Sequence, residues 1–225
     1  MIIFFHVCTI GHYQQVVDEI LKHAFAGDDP YVNKNYIRFC ISGAEKLLIP
    51  AHPHIIVDKQ TDSKEVREFY TLSAIEEFCK FDRLEQHIGF IHSKGVTSDP
   101  SNVAIKDWRN YMSYFILERW KDAQHKLYNG WDAYGVDLRD YPCKHYSGTF
   151  WIANANYIRK LPNIKYISGQ TWEQYQNPNR ILSKRHNAEF WIGMGNGRLY
   201  SAHDCGIDSF VRHEHEYPRE KYVIN

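Results

Sequence analysis

The sequence predicts an α/β domain with a mostly parallel, helix-covered sheet, and three observations carry that expectation. Short β-rich apolar runs alternate with longer segments of helical periodicity, in the order strand, helix, strand, strand, helix, strand, helix. The runs stop abruptly at polar, glycine-containing exits, Thr9-Ile10-Gly11 after the first and His92-Ser93-Lys94-Gly95 after the fourth. At 225 residues the chain suffices for one well-buried domain, and no linker is long enough to separate two.

Residues 2–8 read as a buried first strand. Val16, Val17, Ile20, Leu21 and Ala24 then fill one face of a helix that Gly27-Asp28-Asp29-Pro30 stops, with Asp28 and Asp29 as turn residues. Residues 36–41 form a second strand leaving through Ser42-Gly43, and residues 55–57 a short third. Over residues 64–81 a stripe of Val66, Phe69, Leu72, Ile75 and Cys79 predicts a helix, capped by Ser63 or Asp62. Residues 88–91 are the fourth strand. Residues 107–127 give the clearest helix, with Asp107 as its expected cap.

Past Asn129-Gly130 the pattern weakens. Residues 133–136 suggest a short strand, and residues 145–154 a strand with ligand-facing groups at its start. Residues 157–161 form a helical turn ended by Pro162, residues 170–183 a loop, and residues 185–194 a helix placing Arg185 and Glu189 at i, i+4. The expected organisation is one domain over residues 1–195, with residues 196–225 as a polar, His-rich arm packed on it.

Lys and Arg number 27 against 27 Asp and Glu, so bulk charge gives no support to a nucleic-acid partner. Aromatic residues at 15% and thirteen His are both high, which suits stacking on planar or sugar rings and suits a plain core equally. The five Cys are scattered and show no C-x-x-C spacing, so neither a disulfide framework nor a zinc site is indicated. Cys8, Cys40 and Cys79 sit in apolar segments, as small core residues do. A reducing compartment fits. The start lacks a basic signal region, and no apolar run approaches the roughly eighteen residues of a membrane span. The expectation is a soluble, cytoplasmic protein with no membrane span.

The fourth-strand exit offers distinct chemistry. His92 supplies a donor and an acceptor, Ser93 a hydroxyl, Lys94 a compact positive charge, and Gly95 a left-handed turn or close backbone approach. Ligands of open α/β sheets bind at that edge. An ordinary strand end with a solvated Lys has the same sequence, and both readings stand on these residues alone.

Further motifs join it in order. Tyr70-Thr71-Leu72, then Phe-Ile-His-Ser-Lys-Gly-Val at 90–96, then Trp108-Arg109 and Tyr111-Met112 come first. His-Tyr-Ser-Gly-Thr-Phe-Trp-Ile opens at His145, and Arg185-x-x-x-Glu189-Phe-Trp-Ile follows. Together, over residues 70–192, they resemble a family of bacterial and large-virus glycosyltransferases. That family carries a His-Thr-Lys-Gly strand end, a Trp-Arg helix start, a His-Phe-Ser-Gly-Asn-Phe-Trp-Trp strand and a late Arg-x-x-x-Glu-x-Trp helix. The resemblance implies a single Rossmann-like GT-A domain, a mostly parallel mixed sheet with helices on both faces. It implies a nucleoside-diphosphate sugar donor, UDP-sugar being the expected kind, and a glycan acceptor. Ser93 stands for the usual Thr, Thr149 for Asn, and Ile152 for the second Trp. GT-A enzymes commonly hold Mn²⁺ or Mg²⁺ through Asp-x-Asp after the fourth strand; here His92-Ser93-Lys94 occupies that place, so neither ion has its motif.

Under this resemblance Lys94 and Arg109 offset the charge of the departing diphosphate; Arg109 paired with Asp107 or Glu118 is the plain alternative. Glu189 is the expected catalytic base, held by Arg185, against a simple surface ion pair. Ser147, Gly148 and Thr149 would face the sugar, with Trp151 stacking on it or filling the core. Thr9, His12 and Tyr13 would meet base and ribose, and His92, Ser93, Gly95 and Trp108 complete the donor site. His203 beside Asp204 is the metal candidate, while His213-Glu-His-Glu216 reads as a solvated segment. The activity implied is hexosyl or deoxyhexosyl transfer in polysaccharide biosynthesis. Two rivals remain open: a non-catalytic nucleotide- or sugar-binding module of the same fold, and a metal-dependent hydrolase built on the His-rich tail.

Overall fold

Strand β1 (Ile2–Cys8) divides its side chains between two cores, Ile3, Phe5 and Val7 facing one and Phe4 the other, all fully buried. It belongs to a computed structural model that describes residues 1–26, 36–81, 86–168 and 187–223. Helix α1 (Tyr13–Ala24) covers the first core with the five apolar residues its spacing selects. Strands β2 (Tyr36–Ser42) and β3 (Ile55–Thr61) follow, and α2 (Arg67–Phe81) packs Leu72, Ala74, Ile75 and Cys79 into the second core. Strand β4 (His87–His92) is buried along its whole length.

Helix α3 (Val103–Ser113) passes through a π-helical turn (Tyr114–Glu118) into α4 (Trp120–Tyr128). The later part is built from short pieces: β5 (Ala133–Gly135), β6 (Leu138–Arg139), β7 (His145–Tyr146), β8 (Trp151–Asn154), α5 (Ala155–Ile158), α6 (Ile164–Ser168), α7 (Asn187–Phe190) and β9 (Leu199–Ser201).

Seven strands form one mixed sheet in the order β3-β2-β1-β4-β8-β5-β9. The first four are mutually parallel, β8 runs antiparallel to both neighbours, and β9 is parallel to β5. Buried residues of α1, α3 and α4 join the first core, and those of α2, α5, α6 and α7 the second, so helices cover both faces. The Rossmann-like α/β class read from the sequence is the class observed. Among the described residues no helix is long and apolar enough to cross a membrane.

Four local expectations need correction. The helix expected over 64–81 is broken: a 3₁₀ turn (Lys64–Val66) ends at Arg67, whose φ of 48° and ψ of −155° interrupt the helical path, and Ser63 makes no side-chain cap. Helix α3 starts earlier than expected because Asn102, not Asp107, caps it, its Oδ1 accepting from the Ile105 N–H at 3.0 Å. The Asp107 carboxylate instead accepts the Tyr217 N–H at 3.0 Å and ties down the C-terminal segment. The strand expected over 145–154 is split by a turn at Gly148 and Thr149, both at positive φ. Finally the segment expected as a polar arm from residue 196 contributes β9, the edge strand of the main sheet. The turn at 27–30 and the loop at 170–183 lie outside the described residues.

Candidate functional site

The chain leaves β1 toward β2 on one side and returns from β3 to β4 on the other, so strand order reverses between β1 and β4. A gap at the carboxyl ends of such strands is where open α/β sheets bind ligands. A cavity of about 570 Å³ opens there. The β1 side contributes His6, Cys8 and Ile10, and the β4 exit contributes His92 through Ser98. Lys64, Glu65, Arg67 and Glu68 come from the entry to α2, and Trp108, Glu189 and His213 close it. Two glycines let the exits meet. A Cβ at Gly11, whose φ is +59°, would lie 1.9 Å from the Val96 carbonyl oxygen, and one at Gly95, φ +83°, would lie 2.4 Å from Ile105.

Sequence neighbours at the β4 exit are wired differently. Ser93 donates its N–H to the His6 carbonyl at 2.9 Å, and its Oγ accepts from the Cys8 N–H at 3.1 Å, which leaves the hydroxyl proton without an acceptor among the described residues. Lys94 lays its ammonium 4.0 Å from the centroid of the Trp108 ring. His92 Nε2 donates to the Gly148 carbonyl at 3.0 Å, which places Nδ1, 3.9 Å from Glu68, as the unprotonated nitrogen. Burial lowers the His92 pKa, against the nearby Glu68 charge. His6, its Nδ1 2.8 Å from the Thr71 hydroxyl, is pushed by burial down to about 4. Both rings are neutral at pH 7.

A second cavity of about 590 Å³ adjoins the first. Arg139 to Pro142, His145, Ser147, Gly148, Phe190 and Asp208 to Phe210 line it, and Lys94, Trp108, Glu189 and His213 border both cavities. Glu189, on α7, therefore stands at their junction, and no described residue hydrogen-bonds or ion-pairs with its carboxylate. The turn between β7 and β8 forms part of this wall. At Gly148, φ +86°, a Cβ would lie 2.4 Å from Met112 Sδ and 3.0 Å from Trp108 Nε1. Thr149 holds φ at +69°, an uncommon state for a β-branched residue that costs about 1–3 kcal/mol, and its buried Oγ1 has no partner among the described residues.

Of the residues expected at the site, His92, Ser93, Lys94, Gly95, Trp108, Ser147, Gly148 and Glu189 gather around these cavities. Others do not. Arg109 is 3% exposed, donates to the Lys94 carbonyl at 3.0 Å and pairs with Glu19, so it props the exit loop from inside instead of facing a ligand. Thr9 is buried with its hydroxyl on the Ser42 carbonyl, Tyr13 donates to the Lys46 carbonyl, and His12 borders neither cavity. Trp151 is a core residue, fully buried with ring centroids 5.6 Å from Phe90 and 6.4 Å from Trp191. Thr149 also lines neither cavity, because its left-handed backbone turns the side chain inward. Arg185 lies outside the described residues.

His203, the metal candidate, belongs to no group of three ligand side chains among the described residues. His203 commits Nδ1 to the Tyr111 hydroxyl at 3.1 Å and stacks on Phe115. Among the described residues the side chains close enough to share an ion are Asp137, Asp204 and Cys205. Arg139 already bridges that group, 2.6 and 2.9 Å from the Asp204 oxygens and 3.6 Å from Asp137. These residues do not fit a divalent ion.

Sequence reasoning missed His6, Lys64, Arg67 and Glu68, and read His213, which borders both cavities, as part of a solvated segment. His6 left a trace as a polar residue inside an apolar strand, paired in register with His92. Lys64 and Arg67 left none, because their direction depends on the unforeseen break at Arg67.

A parallel half-sheet with a polar crevice at its switch point defines a Rossmann-like α/β protein, a class whose ligands bind at that edge. The chain belongs to the family described as Domain of unknown function (DUF8361), whose model matches residues 41–203. That span holds β4, both cavity walls from α2 and α3, and Glu189, while β1 and the C-terminal arm flank it. No curated protein matches the chain.

Proposed function

We propose that the protein is a GT-A-type glycosyltransferase that moves a sugar from a nucleoside diphosphate, UDP being the expected kind, to a hydroxyl of a glycan. The observation that carries the reading is the position of Glu189, where a crevice at the β1/β4 switch point meets a second cavity. The donor occupies the first cavity and the acceptor the second. The Glu189 carboxylate takes the proton of the acceptor hydroxyl as its oxygen bonds to the anomeric carbon. The bond from that carbon to the diphosphate breaks, and the electron pair leaves with the phosphate oxygen near Lys94. No step is routed through a metal ion, since the residues present do not form its site. Polysaccharide synthesis in a reducing cytoplasm belongs to the same reading.

Thermal unfolding against UDP-, GDP-, TDP- and CMP-sugars, each with and without Mn²⁺, tests the donor site. A ligand at about 100 times its Kd stabilises by roughly 2.7 kcal/mol, about 5–10 °C for a chain of this size. A flat panel at millimolar ligand defeats the proposal. Binding without turnover, under every acceptor tried, points instead to a non-catalytic sugar-nucleotide module.

A further inference from the structure

We propose that Lys64 and Arg67, on the α2 wall of the first cavity, bind the diphosphate of the donor, so that side chains and not a divalent ion neutralise the leaving group. The inference rests on the donor reading above. Both side chains are exposed where they line the cavity, and neither has a hydrogen bond or ion pair to a described residue. Lys94 reaches the same cavity from the β4 exit. A guanidinium offers a planar fork to phosphate oxygens and an ammonium a compact charge, so the two types complement each other around one diphosphate.

The backbone supplies a second, independent observation. Arg67 holds φ 48° and ψ −155°, a conformation close to glycine's preserve, at the break between the 3₁₀ turn and α2. Glycine would hold that break without strain, but it would bring no guanidinium to the cavity. The strain is thus located at a residue whose side chain faces the ligand space.

Glu65 and Glu68 share this wall. Carboxylates accept hydrogen bonds from ribose and hexose hydroxyls, so a lining of mixed sign matches a sugar nucleotide better than a bare anion. Two other cations are spoken for: Arg109 by Glu19 and the Lys94 carbonyl, and Arg139 by Asp204 and Asp137.

The test compares nucleoside diphosphates with their nucleosides by isothermal titration in EDTA: UDP and uridine, GDP and guanosine, TDP and thymidine. For the base that binds, the diphosphate should bind the wild-type protein at least about tenfold more tightly than the nucleoside. The double variant Lys64→Gln/Arg67→Gln should lose that advantage with nucleoside affinity and thermal midpoint unchanged. Lys121→Gln, on the outer face of α4, should keep it. If the double variant retains the advantage, if Lys121→Gln loses it equally, or if it arises only when Mn²⁺ replaces EDTA, the proposal falls and the donor reading stands. If no nucleotide or nucleoside binds the wild-type protein, the donor reading falls and takes the proposal with it.

Discussion

Two polar clusters occupy this side of the sheet, and they are built on opposite terms. Around Asp137, just past β5, the groups are spent on one another. Its Oδ1 accepts from the Tyr111 hydroxyl at 3.2 Å and the Cys205 N–H at 2.7 Å, its Oδ2 from the Cys205 thiol, and Arg139 closes the set onto Asp204. Around the β4 exit the capacity is left over: the Ser93 hydroxyl proton, the Glu189 carboxylate and the Lys64 and Arg67 cations all face a cavity. Both clusters are rich in the residue types that suggest chemistry. Among the described residues only the second has hydrogen-bonding capacity and charge unspent, which is what a ligand needs and what a stable interior avoids.

Opposite responses to substitution follow, and these are the largest effects expected. Asp137→Ala removes a carboxylate that is 1% exposed and strands its three donors and part of Arg139. A loss of about 3–5 kcal/mol is expected in urea unfolding. Glu189→Gln should change stability by less than about 1 kcal/mol. It should lower sugar transfer by about 10²–10⁴ while donor affinity is kept. A Glu189→Gln protein that unfolds as readily as Asp137→Ala would erase the distinction between the clusters.

The crevice should also carry its own pH signature. His6 is buried and held at about 4, with burial the main cause, Glu68 opposing and His92 reinforcing it. A histidine in the unfolded chain titrates near 6.5, so between about pH 6.5 and 4 the unfolded state binds the extra proton. Stability is complete above that window and falls as pH drops through it, by up to about 3 kcal/mol from this one ring. Glu118 acts lower. Burial raises its pKa, but hydrogen bonds from His23 and Arg219 outweigh this and hold it at about 2, so its contribution is lost only below the ordinary carboxylate range. Urea midpoints measured from pH 7.5 to 4 should therefore fall for the wild type and fall less for His6→Gln. Equal slopes would show that the ring titrates normally and that the crevice is wetter than its geometry implies.

Legibility followed the same division. The strands and helices of the first ninety or so residues rest on continuous apolar runs and one-sided stripes, which are properties of neighbours in sequence. Those the periodicities reveal, and the His92-Ser93-Lys94-Gly95 exit with them. Beyond residue 132 the described elements are pieces of two to five residues, such as β6 at Leu138–Arg139 and α7 at Asn187–Phe190, too short for either period to register. The clusters differ in what each polar group pairs with across the fold. Arg109 finds Glu19 ninety positions away, and no spacing rule places that contact. Trp151 and Ser147 belong to one motif, yet the turn between them sends one into the core and leaves the other beside the second cavity.

That turn provides the smallest effect and the sharpest reading of where strain belongs. Thr149 sits at φ +69° with its hydroxyl buried and unpartnered among the described residues, directly after the Gly148 carbonyl that receives the His92 Nε2 proton. A β-branched side chain crowds its own backbone in the left-handed region, whereas Asn tolerates it and has local hydrogen bonds to offer there. Asn is also close to Thr in volume, so the surrounding core need not move. Thr149→Asn is therefore expected to raise stability by about 1 kcal/mol, or about 2–4 °C in the thermal midpoint, with the affinity for donor unchanged. A gain would mean that the strain here is incidental to binding, unlike that at Arg67, whose side chain faces the ligand space. A loss of stability would mean that the Thr149 hydroxyl is satisfied by a bound water, and the turn would then belong with the spent cluster around Asp137 rather than with the crevice.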